Sequence, residues 1–103
     1  VSPVKEVDII KKARELLSDP KRWTTGAGAR DKHGDPIPVN SPMAVCWCMS
    51  GALARIAGYS DAWDAEKLLH PNFPGGITGF NDTHEHADVL ELMDKAIARL
   101  EAK

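Results

Sequence analysis

"PMAVCWCMSGALARIAG", residues 42–58, holds both cysteines of the chain, one on either side of Trp47. Its reading decides the fold. Ser41 is a natural N-cap and Pro42 suits the first helical position, where a missing N–H costs nothing. From Ala44 to Ala57 nearly every residue is apolar or small, apart from Ser50 and Arg55, and Gly58 supplies a C-terminal stop. The pattern predicts a helix over 42–57, apolar on all sides and therefore central to the domain. Ser50-Gly51-Ala52 thins one side of it, so that a neighbouring backbone can approach. On this reading Cys46-Trp47-Cys48 is core.

The flanking segments are organised around that helix. Ser2 and Pro3 mark the start of a first helix, whose apolar stripe runs through Val7, Ile10, Ala13 and Leu17 and is widened by Ile9 and Leu16. Ser18-Asp19-Pro20 ends it. Residues 23–39, "WTTGAGARDKHGDPIPV", break the helical period and predict a short hairpin with Asp31-Lys32-His33-Gly34 at its tip. A third, short helix is expected from Asp61 to Leu69, capped by Ser60 or Asp61 and ended by His70-Pro71. "PNFPGGITGFN", residues 71–81, reads as loop. The final helix is expected to open at Asp82, its carboxylate as N-cap and Glu85 reaching back, with Val89, Leu92, Met93, Ala96, Ile97 and Leu100 as its buried face. The expected architecture is mainly α: about four helices, with a short β-ribbon between the first and second.

The bulk properties exclude more than they assign. At 103 residues there is room for one domain, spanning 1–103, and a composition of 43% hydrophobic and 27% charged residues is ordinary for a globular protein. A net charge of −2 gives no global pull toward nucleic acid or an anionic membrane. Residues 1–40 carry eight Lys/Arg against six Asp/Glu, and residues 41–103 carry five against nine, a gradient too mild to name a partner. No apolar run approaches the roughly 20 residues that span a bilayer. No leader pattern opens the chain, and a start at Val1 without methionine suggests a processed or trimmed terminus. Two cysteines two positions apart make no useful disulfide, so a reducing, cytoplasmic setting is expected.

Residue type and spacing bear on several chemistries. Cys46, Cys48, His84 and His86 are four possible zinc ligands. Residues two apart on a helix point about 200° from one another, so neither pair grips one ion from a regular helix. A cysteine nucleophile at Cys48, with His84 as base and Asn81 to orient it, is the alternative reading of a small cysteine- or metal-dependent hydrolase. Nothing local makes those three residues meet, and buried free cysteine is common as structure. The Gly26-Ala27-Gly28 loop among Lys21, Arg22, Arg30 and Lys32 is neither a Walker nor a dinucleotide fingerprint. Neither a metal nor a cofactor is implied, and nucleic acid is not the expected partner.

The motifs "WTTGAGARDKHG", "AVCWCMSGAL", "FND" and "VLELMDKAI" resemble a family of small bacterial and phage proteins classed as a domain of unknown function. The resemblance rests on Trp23, Ala29, Arg30, Asp31, Gly34, Ala44, Cys48, Gly51, Ala52, Leu53, Asn81, Asp82, Val89, Asp94, Ala96 and Ile97. It covers about residues 7 to 100 and leaves out Cys46 and His86. It implies a bacterial or phage origin and no particular activity. Two polar groups are not explained by helix propensity: Arg30-Asp31 and Asn81-Asp82. They either pin loops through backbone hydrogen bonds or line a cleft with Trp23, Cys48 and His84. The expectation is a non-enzymatic accessory or binding module that meets a protein partner or a second copy of itself.

Overall fold

The computed structural model describes residues 4–69 and 76–102. The expected Ser2-Pro3 start and His70-Pro71 stop lie outside them. Helix α1 (Val4–Leu16) buries Val7, Ile9, Ile10 and Ala13, with Leu17 just beyond it. The proline that stops α1 also opens the next element. Asp19 Oδ1 accepts from Lys21 N at 2.9 Å and caps a single 3-10 turn, Pro20–Arg22.

The ribbon lies between α1 and the next helix, as expected, but its strands are different ones. Strand β1 (Ala29–Arg30) pairs antiparallel with β2 (Cys46–Trp47), Ala29 opposite Trp47 and Arg30 opposite Cys46. The expected tip does form. Gly34 N donates to Asp31 O at 3.0 Å, Gly34 has φ +85°, and Arg30 bridges Pro36. Trp47 also bridges Trp23, so this short stretch is held from two sides.

The quoted stretch is therefore not helical throughout. Helix α2 spans Met49–Ala57, and Cys48, rather than Ser41, is its N-cap. Ser41 and Pro42 make only one turn, in which Ser41 Oγ accepts from Met43 N and Ser41 O from Ala44 N. The chain then extends, because its backbone finds partners in the Gly28–Arg30 segment. Val45 N donates to Arg30 O at 2.9 Å, and Cys48 N to Gly28 O at 3.1 Å. Val45, Cys46 and Trp47 are residue types that suit a strand. Trp47 and Cys48 are buried, whereas Cys46 is half-exposed and so is not core.

Helix α3 (Tyr59–Leu69) begins two residues earlier than expected, with Ala62 N bonded to Gly58 O at 3.0 Å. A fifth helix occupies part of the segment read as loop. Helix α4 (Gly76–Thr83) buries Ile77 and Asn81 and half-buries Phe80 on one face. Its two glycines lower local propensity, and the burial of that face compensates. Helix α5 (His86–Glu101) accordingly starts later than Asp82. Its N-cap is Glu85, whose N–H donates to Asp88 Oδ2 at 3.2 Å. Asp82 lies instead in the last turn of α4.

One buried cluster joins α1, the ribbon and α2 to α5, with Met49, Leu53, Leu69, Val89 and Met93 among its largest members. The Cα radius of gyration, 12.7 Å, is that of a single folded unit of this length. Arg14 forks onto Asp94 at 2.8 and 3.3 Å and ties α1 to α5. Lys5–Asp61 and Lys95–Glu91 are exposed pairs that add little. No described helix is long and apolar enough to cross a membrane.

The closest approach at any described glycine is between two of them, Gly51 and Gly28. A Cβ on Gly51 would stand 1.9 Å from Gly28 O and 2.7 Å from its carbonyl carbon. The small face of α2 is thus where the ribbon's backbone comes in. At Gly34, by contrast, an added Cβ meets nothing within 4 Å, and only the positive φ resists it. In urea melts Gly51→Ala is expected to cost at least about 2 kcal/mol, since backbone must move. Gly34→Ala should cost about 1 kcal/mol from strain alone. Equal losses in the two variants would contradict the close approach.

Candidate functional site

Asn81 is the only buried polar or charged residue among those described. Its side-chain oxygen accepts from Trp23 Nε1 at 2.7 Å and from the Met49 N–H at 3.0 Å. Its amide nitrogen donates to Thr24 O at 3.1 Å and Asp82 Oδ1 at 3.0 Å. An amide side chain offers two acceptor positions and two donors. All four are in use. Asp82 continues the connection, its Oδ1 accepting from Gly26 N at 3.1 Å. Of the seven residues of the expected cleft, these bonds join Trp23, Asn81 and Asp82, and they tie the Trp23–Gly26 loop and the start of α2 to α4.

Arg30 reaches the same Trp23–Gly26 loop from the ribbon, and Asp31 holds the turn that follows. Arg30 donates to Thr24 Oγ1 (3.1 Å), Thr25 O (3.0 Å) and Gly34 O (2.9 Å). Asp31 Oδ1 accepts from His33 N and Asp35 N. Arg55 makes a similar tie that the residue pattern did not disclose, donating to Val39 O and Ser41 O and lying 5.4 Å from the Trp47 ring centroid.

Cys48 Sγ accepts from Gly51 N at 3.2 Å, in the manner of a capping hydroxyl. Burial pushes its thiol pKa up, opposed by the N–H groups of Gly51 and Ser50, while the charge of Asp82 adds to the rise. A thiol raised in this way is a poor nucleophile at neutral pH. His84 stacks on Phe80, ring centroids 3.8 Å apart, with Nδ1 2.9 Å from Phe80 O. It lines a cleft with Asp88, Glu91, Leu92 and Lys95, separate from the cleft that Cys48 lines. His86 is placed differently again, against Trp23 and the carbonyl of Leu17. Among the described residues no group of three or more His, Cys, Asp and Glu side chains is placed to hold a metal ion.

The Cys48 cleft has a volume of about 230 Å³. Its walls are the Gly26–Gly28 loop, the start of α2 with Cys48, Ser50 and Gly51, Thr78 and Asp82 of α4, Val39, and Tyr59 at the start of α3. Only Cys48 and Asp82 of the expected site residues line it. Thr78 falls within apparent loop sequence, and Tyr59 and Val39 carry no motif. The Gly-x-Gly pair carries a visible sequence signal, but it matches no nucleotide-binding fingerprint.

The chain belongs to the Family of unknown function (DUF6197), whose family model matches residues 1–99. No curated protein and no solved structure matches it. Five positions that carried the resemblance, Trp23, Cys48, Gly51, Asn81 and Asp82, lie at the junction of loop, ribbon, α2 and α4.

Two outcomes are expected here. Asn81→Ala leaves Trp23 Nε1, the Met49 N–H and Thr24 O without their partner, so chemical denaturation should show a loss of roughly 2–4 kcal/mol. A loss under about 1 kcal/mol would mean that water replaces the amide. For Cys48 the sign is set by its raised pKa: the folded state holds the proton longer than the unfolded state. Its stabilisation is complete below the ordinary thiol pKa of about 8.5 and declines as pH rises through the folded value. Unfolding free energy measured from pH 8 to 10.5 should therefore fall less steeply in Cys48→Ser, which keeps a capping atom, than in the wild type. Native alkylation should modify half-exposed Cys46 well before Cys48.

Proposed function

We propose that this chain is a non-enzymatic accessory or binding module, of bacterial or phage origin, that works in the reducing cytoplasm and engages a protein partner at the cleft beside Cys48. One observation carries the reading. The cleft is walled by glycine-loop backbone, three hydroxyl-bearing side chains (Ser50, Thr78 and Tyr59) and a carboxylate, and among the described residues no thiol–imidazole pair faces it. Tyr59 stands at its border, 71% exposed, and Trp63 comes one helical turn later, 63% exposed. Spaced four apart on one helix they share a face, so they form a patch rather than scattered side chains, and Trp and Tyr are enriched where proteins meet partners. The two unpaired cysteines accord with a reducing compartment.

The hydrolase alternative draws less support. It needs Cys48, His84 and Asn81 to converge, whereas His84 lines a separate cleft and the Asn81 amide is fully engaged. A panel of ester, thioester and amide substrates tests it directly, and the rates should be the same for the wild type and Cys48→Ser. Turnover lost on that substitution would overturn the binding-module reading. In parallel, an NMR screen of small ligands and peptides should move the amides of Gly26, Gly28, Ser50 and Thr78, with the shifts reduced in Tyr59→Ala. Hits confined to the His84 cleft would move the site there.

A further inference from the structure

The sign of charge in the cleft separates the ligand classes it can take. Its position at the start of α2 suggests an anion site, but three N–H groups of that helix start are already directed within the protein. Met49 N donates to Asn81 Oδ1, Gly51 N to Cys48 Sγ and Ala52 N to Cys48 O. The usual attraction of a helix N-terminus for phosphate or carboxylate is thereby reduced.

What faces the cleft is negative. Among the described residues Asp82 is its one charged lining side chain, and no Lys or Arg lines it. Ser50 Oγ donates to Glu66 Oε1 at 2.6 Å, which brings a second carboxylate up behind the wall. Both protein hydrogen bonds to Asp82 fall on Oδ1, so among the described residues Oδ2 accepts none. Asp82 also occupies the last turn of α4, the helix end at which the backbone dipole disfavours an anion. Its placement therefore does not serve the helix. The same dipole adds to the negative potential that a cation would meet. Tyr59 and Val39 supply the apolar wall, and an aromatic face attracts ammonium groups.

We propose that this cleft is a binding site for an alkylammonium group, received by Asp82 Oδ2 with its methylene chain against Val39 and Tyr59. The proposal rests on the cleft being the working site of a binding module and specifies what enters it. The same chemistry is offered by a lysine side chain of a protein partner and by a free small amine. A volume of about 230 Å³ is below the usual range for drug-sized ligands and suits a chain of a few methylenes.

The test uses the intact chain, labelled with ¹⁵N and titrated with n-butylamine, n-butanol and butyrate, and with an end-blocked Ala-Lys-Ala peptide beside its norleucine counterpart. Butylamine should shift the Gly26, Gly28, Ser50 and Thr78 amides with at least about fivefold higher affinity than butanol, and butyrate should leave them unmoved. Asp82→Asn keeps an oxygen for Gly26 N and Asn81, so the fold survives. It should lower the affinity for butylamine about fivefold to tenfold and leave that for butanol unchanged. Tighter binding of the lysine peptide than of butylamine identifies a protein chain as the source, and the reverse identifies a free amine. Either supports the proposal. Equal affinities for butylamine and butanol, or an amine affinity indifferent to Asp82→Asn, would overturn the ammonium assignment while leaving the cleft as a ligand site. If all three small probes and both peptides leave those amides in place, the ammonium proposal fails. If the wider screen leaves them in place as well, the cleft itself falls as the binding site.

Discussion

The arrangement of this small fold depends on one buried amide. Asn81 projects from α4 into the junction of four segments and meets an indole N–H, a helix-start N–H, a loop carbonyl and a carboxylate. Each of those groups would otherwise be partly withdrawn from water without a partner, and such a group costs about 1–3 kcal/mol. The amide is the one side chain that supplies two acceptor positions and two donors at once. Aspartate in its place would lose both donors and set a second negative charge beside Asp82. The position of α4, and with it one wall of the cleft, is set by these bonds.

Steric closeness does what hydrogen bonding does not. The ribbon reaches α2 only because Gly51 lacks a side chain, and Gly28 O is then free to accept from Cys48 N. That bond places Cys48 at the helix start, where its sulfur takes up the Gly51 N–H. A thiol so placed is structural: burial holds its proton, and its neighbours are backbone N–H groups rather than a base. The absence, among the described residues, of an imidazole beside it, and the exposure of Tyr59 near by, direct the functional reading toward binding.

The signals legible in the sequence were local ones. The apolar stripes of α1 and α5, the Pro20 stop, the Gly34 turn and the smallness of Ser50-Gly51-Ala52 each report a preference within a few residues, and each is realised in the fold. Arg30-Asp31 and Asn81-Asp82 also stood out, as polar residues with no helical reason to be there. The helix expected over 42–57 failed in its first seven residues because a local start signal, Ser41-Pro42, competed with strand pairing to residues 28–30, a partner distant in the chain. Helix α4 was hidden for a similar reason. Two glycines lower its propensity, and the burial that offsets them comes from other segments.

By itself, then, the sequence determined a mainly helical unit with a central small-residue helix, a turn-rich ribbon before it, and two polar groups in need of an explanation. The tertiary structure decided which residues those groups meet. The Arg30 and Asp31 side chains bond to groups within six residues of chain, Thr24 and Thr25 among them, whereas Asn81 and Asp82 reach across more than fifty residues to the same Trp23–Gly26 loop. It also decided that Cys48 and His84 line different clefts, and that Asp82 shares one with Tyr59. The reason is physical. Propensity and periodicity act over a turn or two of chain, whereas a cleft is made by segments that share nothing but the burial of their apolar faces and the pairing of their buried polar groups.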